Sequence, residues 1–142
     1  MPALSNFVRE SNRIEGIEKT TRAHIKAHEI FLEQPVSISS LIMLVRVLQP
    51  DAQFRDLDSI PGVRVGSHIA PPSGWKIRMD LEEILLMNDP WEQHILYESL
   101  HPFTDGNGRS GRALWLHRHG GKAPIGFLHR FYYETLHNVR VL

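Results

Sequence analysis

The chain has 142 residues, enough for one domain with its own apolar core. Its 16 basic and 16 acidic residues give zero formal net charge, which argues against a nucleic-acid or anionic-membrane partner, since either needs a basic face. Cysteine is absent, so disulfides, thiolate catalysis and cysteine zinc sites are excluded. No apolar run reaches membrane-spanning length and the N-terminus carries no signal-peptide pattern, so a cytoplasmic protein is expected. The 9 histidines are scattered rather than set at metal-ligand spacing, and read mostly as surface or packing residues.

Residues 1–10 carry little signal. Ser11-Asn12-Arg13-Ile14-Glu15-Gly16 reads as a short helix, capped by Ser11 and ended by Gly16. Thr20 or Thr21 then caps a helix to about Glu33, with Ile25, Ile30, Phe31 and Leu32 on one broad face and Gln34-Pro35 as its stop. Ser37 to Ser40 offers the next cap. Leu41, Leu44, Val45 and Leu48 follow at i, i+3, i+4, i+7, which is a core stripe, and Pro50 ends that helix. A polar loop runs to Pro61-Gly62.

Gly62–Gly66 and Gly74–Arg78 both read as short strands, joined by the turn-rich Ser67–Ser73. Together they predict one irregular hairpin over 62–79, leaning on the helices because a lone hairpin is barely stable. Asp80-x-x-Glu83 predicts a capping box for a helix through Met87, with Leu81, Ile84 and Leu85 as its apolar face. Asp89 caps another helix with Pro90 at its first position. Trp91, Ile95 and Leu96 should face inward with His94 among them, and this helix runs straight into His101. Farther on, Gly120-Gly121 is a stop, and Phe127, Leu128, Phe131 and Tyr132 recur at helical spacing up to Leu136. The expected fold is all-α: one domain over 1–142, about six to seven helices and a single β-hairpin, without repeat or linker.

The chemistry is concentrated in His101-Pro102-Phe103-Thr104-Asp105-Gly106-Asn107-Gly108-Arg109-Ser110-Gly111-Arg112. Pro102 disfavours helical geometry at His101, which lets a loop present the imidazole. His101 is the nearby group that titrates close to neutral pH, so it is the natural general base. Asp105 is a hard oxygen ligand suited to a magnesium ion that bridges phosphates. Gly106 and Gly108 let the backbone turn and approach a ligand closely. Asn107-Gly108-Arg109 opens the helix that carries Ala113-Leu114-Trp115-Leu116, and a helix N-terminus attracts phosphate. Arg109 and Arg112, three apart, can both reach one polyphosphate. Phe103 is the loop's apolar anchor. No Gly-Lys-Ser/Thr follows the glycines, so this is not a Walker A loop.

This stretch resembles, at every defining position, the motif of Fic-domain proteins, His-Pro-Phe-x-Asp/Glu-Gly-Asn-Gly-Arg-x-x-Arg. The resemblance implies the Fic fold and a protein adenylyltransferase that moves AMP from ATP to a hydroxyl of a target protein, with a Ser, Thr or Tyr as acceptor. It assigns His101 as catalytic base and Asp105 as the Mg²⁺ ligand. Gly106, Asn107, Gly108, Arg109 and Arg112 become the nucleotide site. Residues 11–16 match the Ser/Thr-x-x-x-Glu-Gly/Asn inhibitory motif of the self-inhibited class, in which Glu15 would pair with Arg112 and occupy the place of the ATP γ-phosphate. Whether that contact forms within one chain or between subunits of a homodimer is open. The hairpin looks like the flap that holds the target by strand addition, and the Phe131–Glu134 segment resembles a helix that closes the nucleotide pocket, with Tyr132 or Tyr133 against adenine. His94 matches a histidine often seen before the motif, and a packing role suits it equally. Three alternatives stand beside AMP transfer: Doc-like phosphoryl transfer, against which Gly108 argues because lysine usually stands there; removal of AMP; and a non-catalytic nucleotide-binding module.

Overall fold

Side chains that cap their own backbones set the helix starts. In the computed structural model, which describes residues 2–122, Thr21 opens α2 (Arg22–Glu33) by accepting the His24 N–H on its hydroxyl, and the His24 ring accepts the Thr21 N–H in return. Ser37 and Ser40 make the same reciprocal pair at the start of α3 (Ile38–Leu48). One carboxylate oxygen of Asp89 accepts the N–H groups of Trp91 and Glu92 at the start of α5 (Pro90–Leu100). Each cap satisfies amides that have no partner inside the helix. The remaining helices are α1 (Pro2–Ile14), α4 (Trp75–Leu85) and α6 (Asn107–Arg118). The strands β1 (Arg64–Val65) and β2 (His68–Ile69) form an antiparallel hairpin, Arg64 opposite Ile69 and Val65 opposite His68. The fold is therefore mostly helical with one small hairpin, as expected, and no helix among the described residues is long and apolar enough to cross a membrane.

The architecture is wound around α6. Every residue from Arg109 to Leu116 is buried, and α1, α2, α3 and α5 all pack on this helix. Its Ala113 and Leu114 join the main core with Phe31, Leu41, Leu44, Val45, Leu48, Ile77, Leu81, Tyr97, Leu100 and Phe103. Its Trp115 and Leu116 join a second cluster with Leu4, Phe7 and Val8 of α1. Along the seam with α5, Tyr97 O–H and Ser110 Oγ lie 2.7 Å apart, and His94 Nδ1 donates to the Gly111 carbonyl at 3.0 Å. Burial of this kind is possible for a helix with so polar a first half because its side chains and carbonyls are hydrogen-bonded.

Four local expectations are corrected. Helix α1 begins at Pro2 rather than Ser11; Leu4, Phe7, Val8 and Ser11 stand at i, i+3, i+4, i+7 and are all buried, so the apolar stripe starts well before the serine. The second strand lies at His68–Ile69, not in 74–78, and the hairpin does not extend over 62–79. Gly66, at φ 60°, makes the turn between the strands at once, and Gly74, whose N–H donates to the Arg55 carbonyl, starts α4 instead. Asp80 is consequently inside α4 rather than capping it. It pairs with Lys76 at i, i+4, while Ile77, Leu81 and Ile84 form the buried face. Finally, Ile30 is exposed on α2, where Ala27, His28 and Phe31 are buried. The expected helix over 127–136, with Tyr132 and Tyr133, lies outside the described residues.

Candidate active site

Helix α5 ends at His101, which takes a left-handed conformation (φ 49°, ψ 65°). It is the one non-glycine residue with positive φ among the described residues, a conformation that costs about 1 kcal/mol for an L side chain. The Pro102 ring behind it disfavours the right-handed alternative. The chain then runs alongside the α3–β1 loop as a short antiparallel pair. Arg55 N–H donates to Pro102 O and Thr104 N–H to Gln53 O, both at 2.9 Å, and the Gln53 N–H reaches Thr104 Oγ1. Phe103 is buried, its ring 5.5 Å from that of Phe54, so it anchors the loop in the core.

The turn into α6 is closed by Asn107. Its Oδ1 accepts the Phe103 N–H at 2.9 Å and its Nδ2 donates to the Phe103 carbonyl at 2.8 Å. The Asn107 side chain thus stitches the loop. Gly106 takes φ 79°, a left-handed conformation that favours glycine, although a Cβ there would meet Val45 and Gln49 only at ordinary contact distance. Asp105 is exposed, with one carboxylate oxygen accepting the Gly106 N–H at 2.7 Å.

The two arginines are almost fully buried, and both are held by α1. Arg112 donates through Nε to Ser11 Oγ at 2.9 Å, and through Nη2 to the Ser11 carbonyl at 2.9 Å and to Glu15 Oε2 at 2.7 Å. Arg109 donates to Asn12 Oδ1 at 3.3 Å, to the Leu48 carbonyl at 3.0 Å and to Gln49 Oε1 at 2.9 Å. Burial pulls the Arg109 guanidinium below its ordinary range; Glu15 and Asp105 oppose that and Arg112 adds to it. The Glu15–Arg112 contact forms within one chain.

A cavity of about 610 Å³ is shared by every residue nominated from the sequence: Glu15, His101, Asp105, Gly106, Asn107, Gly108, Arg109 and Arg112. Val63, Arg64 and Val65 of the hairpin form another wall. This volume suits a ligand of nucleotide size. Glu98, Gln49 and Thr104 line it as well and were not singled out from the sequence; Glu98 stands one helical turn before His101, a spacing that could have flagged it. Asn12 lay inside the inhibitory motif unnoticed. Arg55, fully buried against this loop, had no sequence signal at all.

A model of the Fic/DOC family matches residues 25–117, well over half of the chain. The chain belongs to the Fic/DOC family. Members act by transferring nucleotide-derived groups to proteins. The match runs from within α2 to the penultimate residue of α6, so the Fic/DOC region holds His101 and both arginines, whereas α1 and Glu15 precede it. No curated protein and no solved structure matched the chain.

Proposed function

We propose that this Fic/DOC protein transfers AMP from ATP to a Ser, Thr or Tyr hydroxyl of a target protein, and that Glu15 holds it at rest. The observation that carries the reading is the single cavity shared by a histidine, an exposed carboxylate, the backbone of a glycine turn and two arginines, with Glu15 standing on the second arginine.

Asp105 suits a hard cation, because one of its oxygens fixes the turn and the side chain is otherwise exposed beside the phosphate-attracting backbone. Asp105 would hold Mg²⁺ there, and the ion would supply charge neutralisation at the phosphates. The backbone N–H groups at the start of α6 face the α- and β-phosphates. Arg109 binds toward the β-phosphate and Arg112 the γ-phosphate. His101 accepts the proton of the target hydroxyl as its oxygen bonds to the α-phosphorus. The bond from that phosphorus to the α–β bridging oxygen breaks, and pyrophosphate leaves. The target segment lies along β1, which borders the cavity. With Glu15 on Arg112 the γ-phosphate has no cationic partner there, so ATP binds in a pose unsuited to transfer.

Intact-mass analysis of wild type, Glu15→Gly and Glu15→Gly/His101→Ala, each with ATP and Mg²⁺, tests this. Self-modification by one adenylyl group on Glu15→Gly alone is expected. A phosphoryl adduct instead would assign Doc-like transfer. Absence of any adduct, together with loss of AMP from an AMP-modified protein, would assign removal.

A further inference from the structure

The loop between α3 and β1 carries a fully buried arginine, Arg55, with no ion pair among the described residues. A buried guanidinium without a carboxylate is costly unless its donors are satisfied. Those of Arg55 go to two places. Nε donates to the His101 carbonyl and Nη2 to the Leu100 carbonyl, each at 2.7 Å. Nη1 donates to the Pro71 carbonyl at 2.8 Å and to Ser73 Oγ at 3.1 Å. Ser73 Oγ in turn donates to the Pro61 carbonyl at 3.2 Å. One planar group therefore holds the end of α5 on one side and both stems of the hairpin excursion, 61 and 71–73, on the other.

The His101 side of this contact has a clear physical basis. The last carbonyls of a helix lack intrahelical partners, and a cation there also meets the negative end of the dipole. Arg55 caps Leu100 and His101, while His68 of β2 places Nε2 2.9 Å from the preceding carbonyl, Ser99. Three consecutive carbonyls at the end of α5 are thus capped by side chains tied to the hairpin. The backbone agrees: Arg55 N–H binds Pro102 O and Arg55 O accepts the Gly74 N–H, both at 2.9 Å.

We propose that Arg55 is a positioning residue that fixes the hairpin relative to His101, so that a target hydroxyl presented along β1 reaches the imidazole. This rests on the transfer reading above. Arg55 touches neither nucleotide nor target in this scheme and acts through the His101 backbone. The fork is needed: an ammonium cannot span both sides at once.

In the Glu15→Gly chain, Arg55→Lys, Ser73→Ala and their combination are compared by three measurements. These are the dissociation constant of Mg-ATP, the self-modification rate at saturating ATP, and amide hydrogen exchange. Arg55→Lys should slow transfer about 10-fold or more, since small misplacement of reacting groups is expensive in rate. It should leave the ATP constant within about 2-fold and quicken exchange in 61–73 but not in α2 or α3. Ser73→Ala, which removes the hydroxyl link from Arg55 to Pro61 but leaves the Pro71 bond, should act more weakly in the same direction, and the double variant should be no worse than Arg55→Lys alone. Additive effects, unchanged exchange in 61–73, or equal losses in ATP binding and rate would overturn the proposal. Should the Glu15→Gly parent modify nothing and instead remove AMP from an AMP-modified protein, the transfer reading fails by itself. Exchange and non-additivity measured on the wild-type chain then still decide whether Arg55 couples hairpin and loop.

Discussion

Glu15 sets its carboxylate in the space left by the missing side chain of Gly108. A Cβ built at 108 collides with Glu15 Oε2 and stands 3.1 Å from Arg112 Nη1. Position 111, one turn on, is also closed to a side chain, but by Glu98 and the Tyr97 ring. The two obstacles differ in kind. The Glu15 side chain is 40% exposed and can swing away, whereas Glu98 and Tyr97 are buried in the α5–α6 seam.

The two glycines should therefore answer differently to alanine. Gly108→Ala should displace Glu15 with little net change in stability, because alanine gains about 1 kcal/mol of helix propensity. Gly111→Ala should cost about 3 kcal/mol through overpacking. Urea unfolding of both variants checks this, and equal costs would contradict it.

Phe7→Ala should weaken the docking of α1. Phe7 is buried in the cluster that joins α1 to Trp115 and Leu116, and its truncation should cost about 3 kcal/mol. If α1 is the brake, the same variant should raise ATP-dependent self-modification although Glu15 is intact. Unfolding curves and intact mass measured on one sample separate the two effects.

Asn107→Asp keeps an acceptor for the Phe103 N–H but turns a carboxylate oxygen toward the Phe103 carbonyl. Losing that buried donor should cost about 2 kcal/mol. Thermal unfolding should show a clear drop in Tm, and loop amides at 103–106 should exchange faster. An unaltered Tm would mean that the side chain does not hold the loop.

Acid should destabilise the protein through His28. Burial lowers its pKa from 6.5 to about 4; the His24 carbonyl bond opposes this, and positive charge at His24, Arg109 and Arg112 adds to it. The folded state thus keeps His28 neutral where the unfolded chain would bind a proton. Stability is full above about pH 6.5 and falls as pH drops toward 4, by up to about 3 kcal/mol. His24 is shifted in the same direction. Unfolding free energies at pH 7, 5.5 and 4.5 should decline for wild type and decline less for His28→Gln.

The helices were legible wherever a cap preceded an apolar period: Thr21 and Ser37 open helices as expected, and so does Asp89. The failures came where two signals overlapped. Asp80 and Glu83 have capping-box spacing, yet Ile77, Leu81 and Ile84 continue the buried period across them, and burial outweighs one cap. In the same way Leu4, Phe7 and Val8 extend α1 past the cap expected at Ser11.

By itself the sequence determined the candidate site groups and their order, because they lie within one loop and the first turns of one helix, where spacing along the chain fixes spacing in space. It also marked Glu15 as a partner for Arg112, through a short motif. Only the tertiary structure decided that Asn107 closes the loop on Phe103, that Asn12 and Gln49 hold Arg109, and that Arg55 joins hairpin and loop. The reason is physical. Arg55 binds backbone carbonyls, a group that every residue carries, and the His101 carbonyl is 46 positions away in the chain. No residue type records such a contact; it exists once the loop after α3 has come alongside the end of α5.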